Sequence, residues 1–183
     1  ALLRAAGVRV TGKVSVRHRA LMPADDPAVR GGAPAAKPPL APVLARVVPA
    51  PLGEDLVHTN KVSQNLHTEL LLRRVGSVSG SGSVADGHAA MDKVLKEAGL
   101  SRWQYDFGDG SGMSNYNRVT PRASVTLLRW GAGQPWGAAW RATLPIAGQD
   151  GTLRNRFKGT LLEGKLFAKT GSLNAANALA GYF

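Results

Sequence analysis

The chain contains no cysteine among its 183 residues, which excludes a disulfide framework and any thiolate metal site. No apolar run approaches the roughly 18–20 residues that cross a bilayer as a helix, and no signal peptide begins the chain. Acidic groups are few, 12 against 23 lysines and arginines, for a formal charge of +11. Aromatic residues make up only 6%. Such a charge raises nucleic acid as a partner. The basic residues are scattered, however, and no aromatic-basic motif accompanies them, which argues against it. A nucleic-acid binder would also have to lose affinity steeply with salt. Scattered charge reads more simply as a solvated surface, and it also suits an anionic polymer or a membrane surface. His18, His58, His67 and His88 show no ligand spacing with carboxylates, so no metal site is expected.

What is present is enough apolar residue, 44% of the chain, for one core with or without an appendage. Residues 1–20 read as a short helix broken at Gly7, followed by alternating strands at Val8-Arg9-Val10 and Val14-Ser15-Val16. Residues 22–42 carry six of the eleven prolines and should form a surface loop or linker. Val43 to Val48 reads as a strand, and Pro51 to Asn60 as a helical approach to Ser63. The next helix sets Leu66 and Leu70 at i, i+4 and ends near Gly76, before a flexible linker at 77–82. Ser83-Val84-Ala85-Asp86 reads as a capping box for a helix bearing Met91, Val94, Leu95 and Ala98, stopped by Gly99. Thr120-Pro121 opens another helix, with Gly131 behind it. Strands are expected at Leu161 to Ala168 and at Ala178 to Phe183.

Lys169-Thr170-Gly171, between the last two strands, is the feature with the most chemistry in it. A lysine and a hydroxyl side by side at a strand end, with a glycine keeping the groove open, make a receptor for a carboxylate. A solvated lysine at a strand end is the plain alternative. Ser63-Gln64-Asn65 lies 106 residues upstream. Its serine and asparagine could equally be local helix caps. Asp109-Gly110-Ser111-Gly112 lacks the lysine of a phosphate loop and reads as a tight turn.

Four stretches together resemble the class C low-molecular-mass penicillin-binding proteins of the penicillin-binding protein 4 type. They are Asn60-Lys61-Val62-Ser63-Gln64-Asn65, Asp109-Gly110-Ser111-Gly112-Met113-Ser114, residues 144–153, and Lys169-Thr170-Gly171-Ser172-Leu173. They occur in the family's order and at near-family spacing, with Gln64 replacing an aspartate. The resemblance covers residues 43–183 well and 1–42 loosely. It implies an α/β (α+β) fold of the penicillin-recognising serine transpeptidase/β-lactamase type, an antiparallel sheet flanked by helices, present in part. Residues 1–42 would be the tail of the family's inserted region plus a linker. Residues 43–183 would be the C-terminal part of the penicillin-binding domain.

The activity implied is that of a serine-type D-alanyl-D-alanine carboxypeptidase, with endopeptidase activity in some members, acting on peptidoglycan stem peptides and acylated by β-lactam antibiotics. No cofactor is implied, and the location is periplasmic or cell-envelope. By the same resemblance, Ser63 would relay a proton and Asn65 would hold substrate or base. Lys169 and Thr170 would bind the substrate carboxylate beside Gly171, and Ser172 would lend its backbone N–H to an oxyanion hole. The family often has arginine where this chain has Asn115, which weakens the expectation of an acidic stem side chain; Arg154 and Arg156 are other candidates for charge near the cleft. No serine here has a lysine three residues later, so the family's Ser-x-x-Lys nucleophile element is expected in an upstream part of the same protein, without which this stretch would be inactive. A β-lactamase, or a non-enzymatic wall-binding or interaction module, are the alternatives.

Overall fold

The computed structural model describes residues 2–183 apart from 14, 17–19, 21, 32, 37–41, 44, 45 and 175. Helix α1 (Leu2–Ala5) and a 3-10 turn (Pro23–Asp25) are followed by α2 (Leu52–Val62), α3 (Asn65–Ser79) and α4 (Val84–Glu97). A two-residue ribbon, β1 (Tyr105–Asp106) with β2 (Arg118–Val119), precedes α5 (Pro121–Ala132) and α6 (Gly137–Thr143). The chain ends in an antiparallel hairpin, β3 (Phe167–Leu173) and β4 (Ala176–Tyr182), with Lys169 opposite Ala180 and Ser172 opposite Asn177.

Local chemistry explains most of these boundaries. Ser83 caps α4 by accepting from the Asp86 N–H, and Thr120 caps α5 by accepting from Ala123, with Pro121 at the first position of that helix. The reciprocal half of the expected capping box is displaced: the Asp86 carboxylate takes the N–H of Ser81 instead of that of Ser83. It also receives the Ser81 and Ser83 hydroxyls and the Arg30 guanidinium. Burial works against this charge, yet the bonds outweigh it and bring the carboxyl from 3.8 to about 2. The Arg30 pair also ties the proline-rich segment to α4.

Several expectations fail for physical reasons. The first half of the glycine-serine stretch at 77–82 is helical, because α3 continues to Ser79. Tertiary packing overrides composition here, since a Cβ on Gly76 would lie 2.6 Å from the Gly87 backbone of α4. Residues 8–10 and the described residues of 43–48 form no strand, while Val14, Leu44 and Ala45 lie outside the described residues. Residues 161–165 are turns, with Leu161 84% exposed and Gly164 at φ 71°, so the strand begins only at Phe167. It then runs through Lys169-Thr170-Gly171 instead of ending there. Helix α5 passes Gly131 and stops at Gly133, and α6 adds a helix that the sequence reading does not contain.

Two apolar clusters hold the elements. Leu95, Ala98, Leu100, Tyr105 and Ala123 join α4 to α5, with Met91, Phe107, Leu127 and Trp130 around them. Leu144, Pro145 and Leu153 are fully buried, and Ala147 and Ala168 are at 0% exposure beside them. This second cluster matters to the site. Residues 145–147 pair with the start of β3 through Ala147 N–H to Leu166 and Ala168 N–H to Pro145, both 2.9 Å. From the other side, Lys61 of α2 donates to the Leu144 carbonyl (2.7 Å) and to Asp150 (2.6 Å). The 144–150 segment thereby links the helix before Ser63 to the strand that carries Lys169.

Candidate active site

Ser63 lies in the two-residue joint between α2 and α3, at φ 61° and ψ 55°. A non-glycine residue in the left-handed region carries roughly 1–2 kcal/mol of strain. The joint is held by the Gln64 N–H to Thr59 (3.0 Å) and by His67 against Asp55 (2.7 Å) across the two helices. Ser63 therefore does not cap α3. Gln64 does, accepting from the Leu66 N–H at 3.2 Å. Asn65 is the first residue of α3; its side-chain amide is exposed to the cleft and bonds to nothing among the described residues.

Lys169 Nζ donates to Ser63 Oγ at 2.8 Å and to the carbonyl of Thr170 at 2.8 Å. An ammonium has three donors, so one remains. Lys169 is half-buried, and burial pushes it below its ordinary 10.5. No carboxylate pairs with it among the described residues. Thr170 Oγ1 donates to Thr152 Oγ1 at 2.9 Å, and Ser172 Oγ donates to Asn177 at 2.8 Å on the neighbouring strand. A Cβ at Gly171 would meet only the Ala178 methyl, at 3.9 Å, so this position borders open space.

Thr152 apart, these residues line one cleft of about 930 Å³. Its opposite wall is the loop of residues 108–117. Asp109 shapes that loop by accepting from the N–H groups of Gly112 (2.8 Å) and Ser114 (2.6 Å) and from Asn117 (2.9 Å). Burial opposes the Asp109 charge, but these bonds keep its carboxyl below the usual range. Glu69 of α3 holds the same loop through the N–H groups of Gly110 and Ser111. The segment bends at Gly110 to Gly112, and Asp109 is spent within the loop. Asn115 accepts from Asn174 of the β3–β4 turn at 2.8 Å, joining the two walls. Lys169 and Arg118 are the charged residues of the lining, and no acidic side chain is among them.

Ser63, Asn65, Asn115, Lys169, Thr170, Gly171 and Ser172 thus come together from three separate stretches. Lys61, Glu69, Asp109, Thr152 and Asn174 support or complete the arrangement, and sequence reasoning assigns none of them such a part. The signal for Lys61, Asp109 and Thr152 was available, since each lies inside one of the four motif stretches. Arg156 lines a small groove next to the cleft, whereas Arg154 lines neither.

Residues 29–183 match the D-Ala-D-Ala carboxypeptidase 3 (S13) family. The chain belongs to this family. A D-alanyl-D-alanine carboxypeptidase of Actinomadura sp. (strain R39) is 39% identical over 148 residues, 78% of this chain and 28% of that protein. D-alanyl-D-alanine carboxypeptidase DacB of Haemophilus influenzae is 32% identical over 152 residues, 80% of this chain and 31% of its own length. The crystal structure of penicillin-binding protein 4 from Haemophilus influenzae, in complex with a β-lactam, superposes with a TM-score of 0.78 at 29% identity. That match covers 98% of this chain and 38% of the other. The mixed helical and antiparallel architecture is accordingly the penicillin-binding protein fold, represented in part. The S13 chain described here spans under a third of the length of these two curated relatives.

Proposed function

We propose that the protein is a serine-type D-alanyl-D-alanine carboxypeptidase, able also to act as an endopeptidase, that cleaves peptidoglycan stem peptides and is acylated by penicillins. The observation that carries this reading is the 2.8 Å contact between Lys169 Nζ and Ser63 Oγ, in a cleft with cationic and no acidic lining. A half-buried ammonium without a counter-ion suits a ligand that brings its own carboxylate.

In this reading the nucleophile and its lysine come from an upstream part of the same protein as Ser-x-x-Lys. The nucleophilic oxygen attacks the carbonyl of the penultimate D-Ala, and the C–N bond breaks as the amine gains a proton. Ser63 hands over that proton. Its oxygen accepts from Lys169, which leaves its own O–H free to donate. Asn65 orients the substrate backbone through its free amide. Lys169 and Thr170 receive the substrate carboxylate beside the open position at Gly171. The Ser172 N–H, with that of the nucleophile, stabilises the developing oxyanion. Water then hydrolyses the acyl-serine ester. Asn115, committed to Asn174, favours a neutral over an acidic stem side chain. Residues 43–183 are the C-terminal part of the penicillin-binding domain, residues 1–42 are the tail of the inserted region and a linker, and the enzyme works in the periplasm or cell envelope.

The test is release of free D-Ala from a peptide ending in D-Ala-D-Ala by the full-length protein, with the penicillin adduct mapped by mass spectrometry. The expected adduct lies on a serine outside these 183 residues, because none here has a lysine at the activating spacing. No release of D-Ala, or an adduct on Ser63, would contradict the reading.

A further inference from the structure

Asp55, Thr59 and Ser63 recur every four residues along α2 and its C-terminal end, and so follow one face of that helix. Thr59 is buried, and its carbonyl accepts the N–H groups of both Ser63 and Gln64. Four residues beyond Ser63 comes His67, the third residue of α3. Its Nδ1 lies 2.7 Å from Asp55 Oδ1 and 3.5 Å from Thr59 Oγ1. An ionised carboxylate can only accept, so Nδ1 carries the proton and donates it to Asp55. The exposed ring of His58 is the neighbouring titratable group, 5.6 Å from that of His67. Neither Asp55 nor His67 belongs to the cleft lining.

The contact is possible only because the chain folds back at Ser63. Asp55 and His67 are 12 residues apart. In one continuous helix that separation is about 18 Å along the axis, far beyond the reach of the two side chains. A right-handed Ser63 would let α2 run on into α3 and would break the pair. The left-handed Ser63, at φ 61°, keeps it. The converse also holds: the pair opposes relaxation of a conformation that serine does not favour. We propose that His67 is a positioning residue, which by donating to Asp55 holds Ser63 in the bent joint where its Oγ meets Lys169 Nζ. The inference rests on the carboxypeptidase reading, in which Ser63 passes a proton to the leaving amine. Binding of the substrate carboxylate by Lys169 and Thr170 comes from β3 and does not need the joint.

The experiment measures single-turnover acylation of the full-length protein by a peptide ending in D-Ala-D-Ala and by its thioester analogue. In the peptide the C–N bond breaks as the nitrogen takes a proton; in the analogue the C–S bond breaks and sulfur leaves as a thiolate, which needs none. His67→Phe keeps a ring but removes the donor, and it should slow acylation by the peptide about tenfold, the scale of a small misplacement of a reacting group. Acylation by the thioester should be unchanged. His67→Asn puts an amide nitrogen in the place of Nδ1 and should recover most of the loss. Asp55→Ala should match His67→Phe, and the double variant should be no slower than either. The thermal midpoint should move little, because the two side chains are 35% and 33% exposed. A merely structural role would lower the midpoint and slow both substrates alike. That result, no rescue by His67→Asn, or unchanged acylation by the peptide in both His67→Phe and Asp55→Ala would overturn the proposal. Failure of the unaltered protein to release D-Ala from the peptide would overturn the carboxypeptidase reading, and this inference with it.

Discussion

At the scale of single residues, Lys169 is a half-buried ammonium whose close partners are neutral oxygens, Ser63 Oγ and the Thr170 carbonyl. Those bonds offset part of the cost of taking its charge out of water, and an incoming carboxylate would offset more. Asn115 poses a different question. Its Oδ1 accepts from Asn174, so a neutral amide bridges the two walls where the family often has a cation. Asn115→Arg should raise the turnover of stem peptides with a free side-chain carboxylate relative to their amidated forms. The shift should be about threefold to tenfold, the worth of one exposed charge-assisted contact. Equal ratios before and after the change, in competition assays, would place side-chain recognition elsewhere.

At the scale of elements, the site depends on how α2, the 144–150 segment and β3 are joined. Lys61 is the bolt, donating to a backbone carbonyl and to a carboxylate. Gly151 lets α2 approach, since a Cβ there would come within 2.7 Å of the Lys61 carbonyl. Lys61→Met would leave the Leu144 carbonyl and the Asp150 carboxylate short of a donor. It should destabilise the protein by about 1–3 kcal/mol. It should also slow penicillin acylation, although the side chain at this position lies outside the cleft lining. Differential scanning calorimetry with labelling kinetics would show both effects; an unchanged acylation rate would mean that β3 is positioned without this link.

The same elements show where sequence reading worked. Helices with an oxygen-bearing cap and a clear apolar stripe, such as α4 and α5, are local phenomena and were legible from Ser83, Thr120 and Pro121. The cleft residues were legible because their motifs carry specific chemistry in a specific order. Ser63 was harder to place. Its left-handed geometry is imposed by two helices meeting, and serine itself has no preference for it, so the sequence equally supports a cap on α3. The α3 extension through 77–79 and the late start of β3 share this cause. Gly76 against Gly87 and residues 145–147 against Phe167 are contacts between distant stretches, which local composition does not encode.

At the scale of the whole molecule, charge and burial act together. The buried Asp86 carboxylate fastens the Arg30 segment to α4. Its pKa of about 2, depressed from 3.8, gives the sign of its contribution: stability is fully present above about pH 4 and lost as pH falls through about 2. Thermal unfolding of the protein should therefore become easier across that window, and the Asp86→Asn variant should be less stable at neutral pH but show a flatter dependence there. Identical slopes for the two proteins would show that Asp86 does not carry this acid sensitivity. Exposed apolar side chains on α2 and α3, Val62 at 54%, Leu66 at 62% and Leu70 at 54%, flank the Ser63 joint.

The central claim is that Ser63 and Lys169, brought together across 106 residues, form one half of an acylation site. It is tested most directly by the rate at which a fluorescent penicillin labels the full-length protein before and after Lys169→Ala, with circular dichroism to verify the fold. The expected result is a loss of about a hundredfold to a thousandfold in that rate, the usual consequence of removing one group that stabilises developing charge. Labelling at an unchanged rate, in a folded variant, would contradict it.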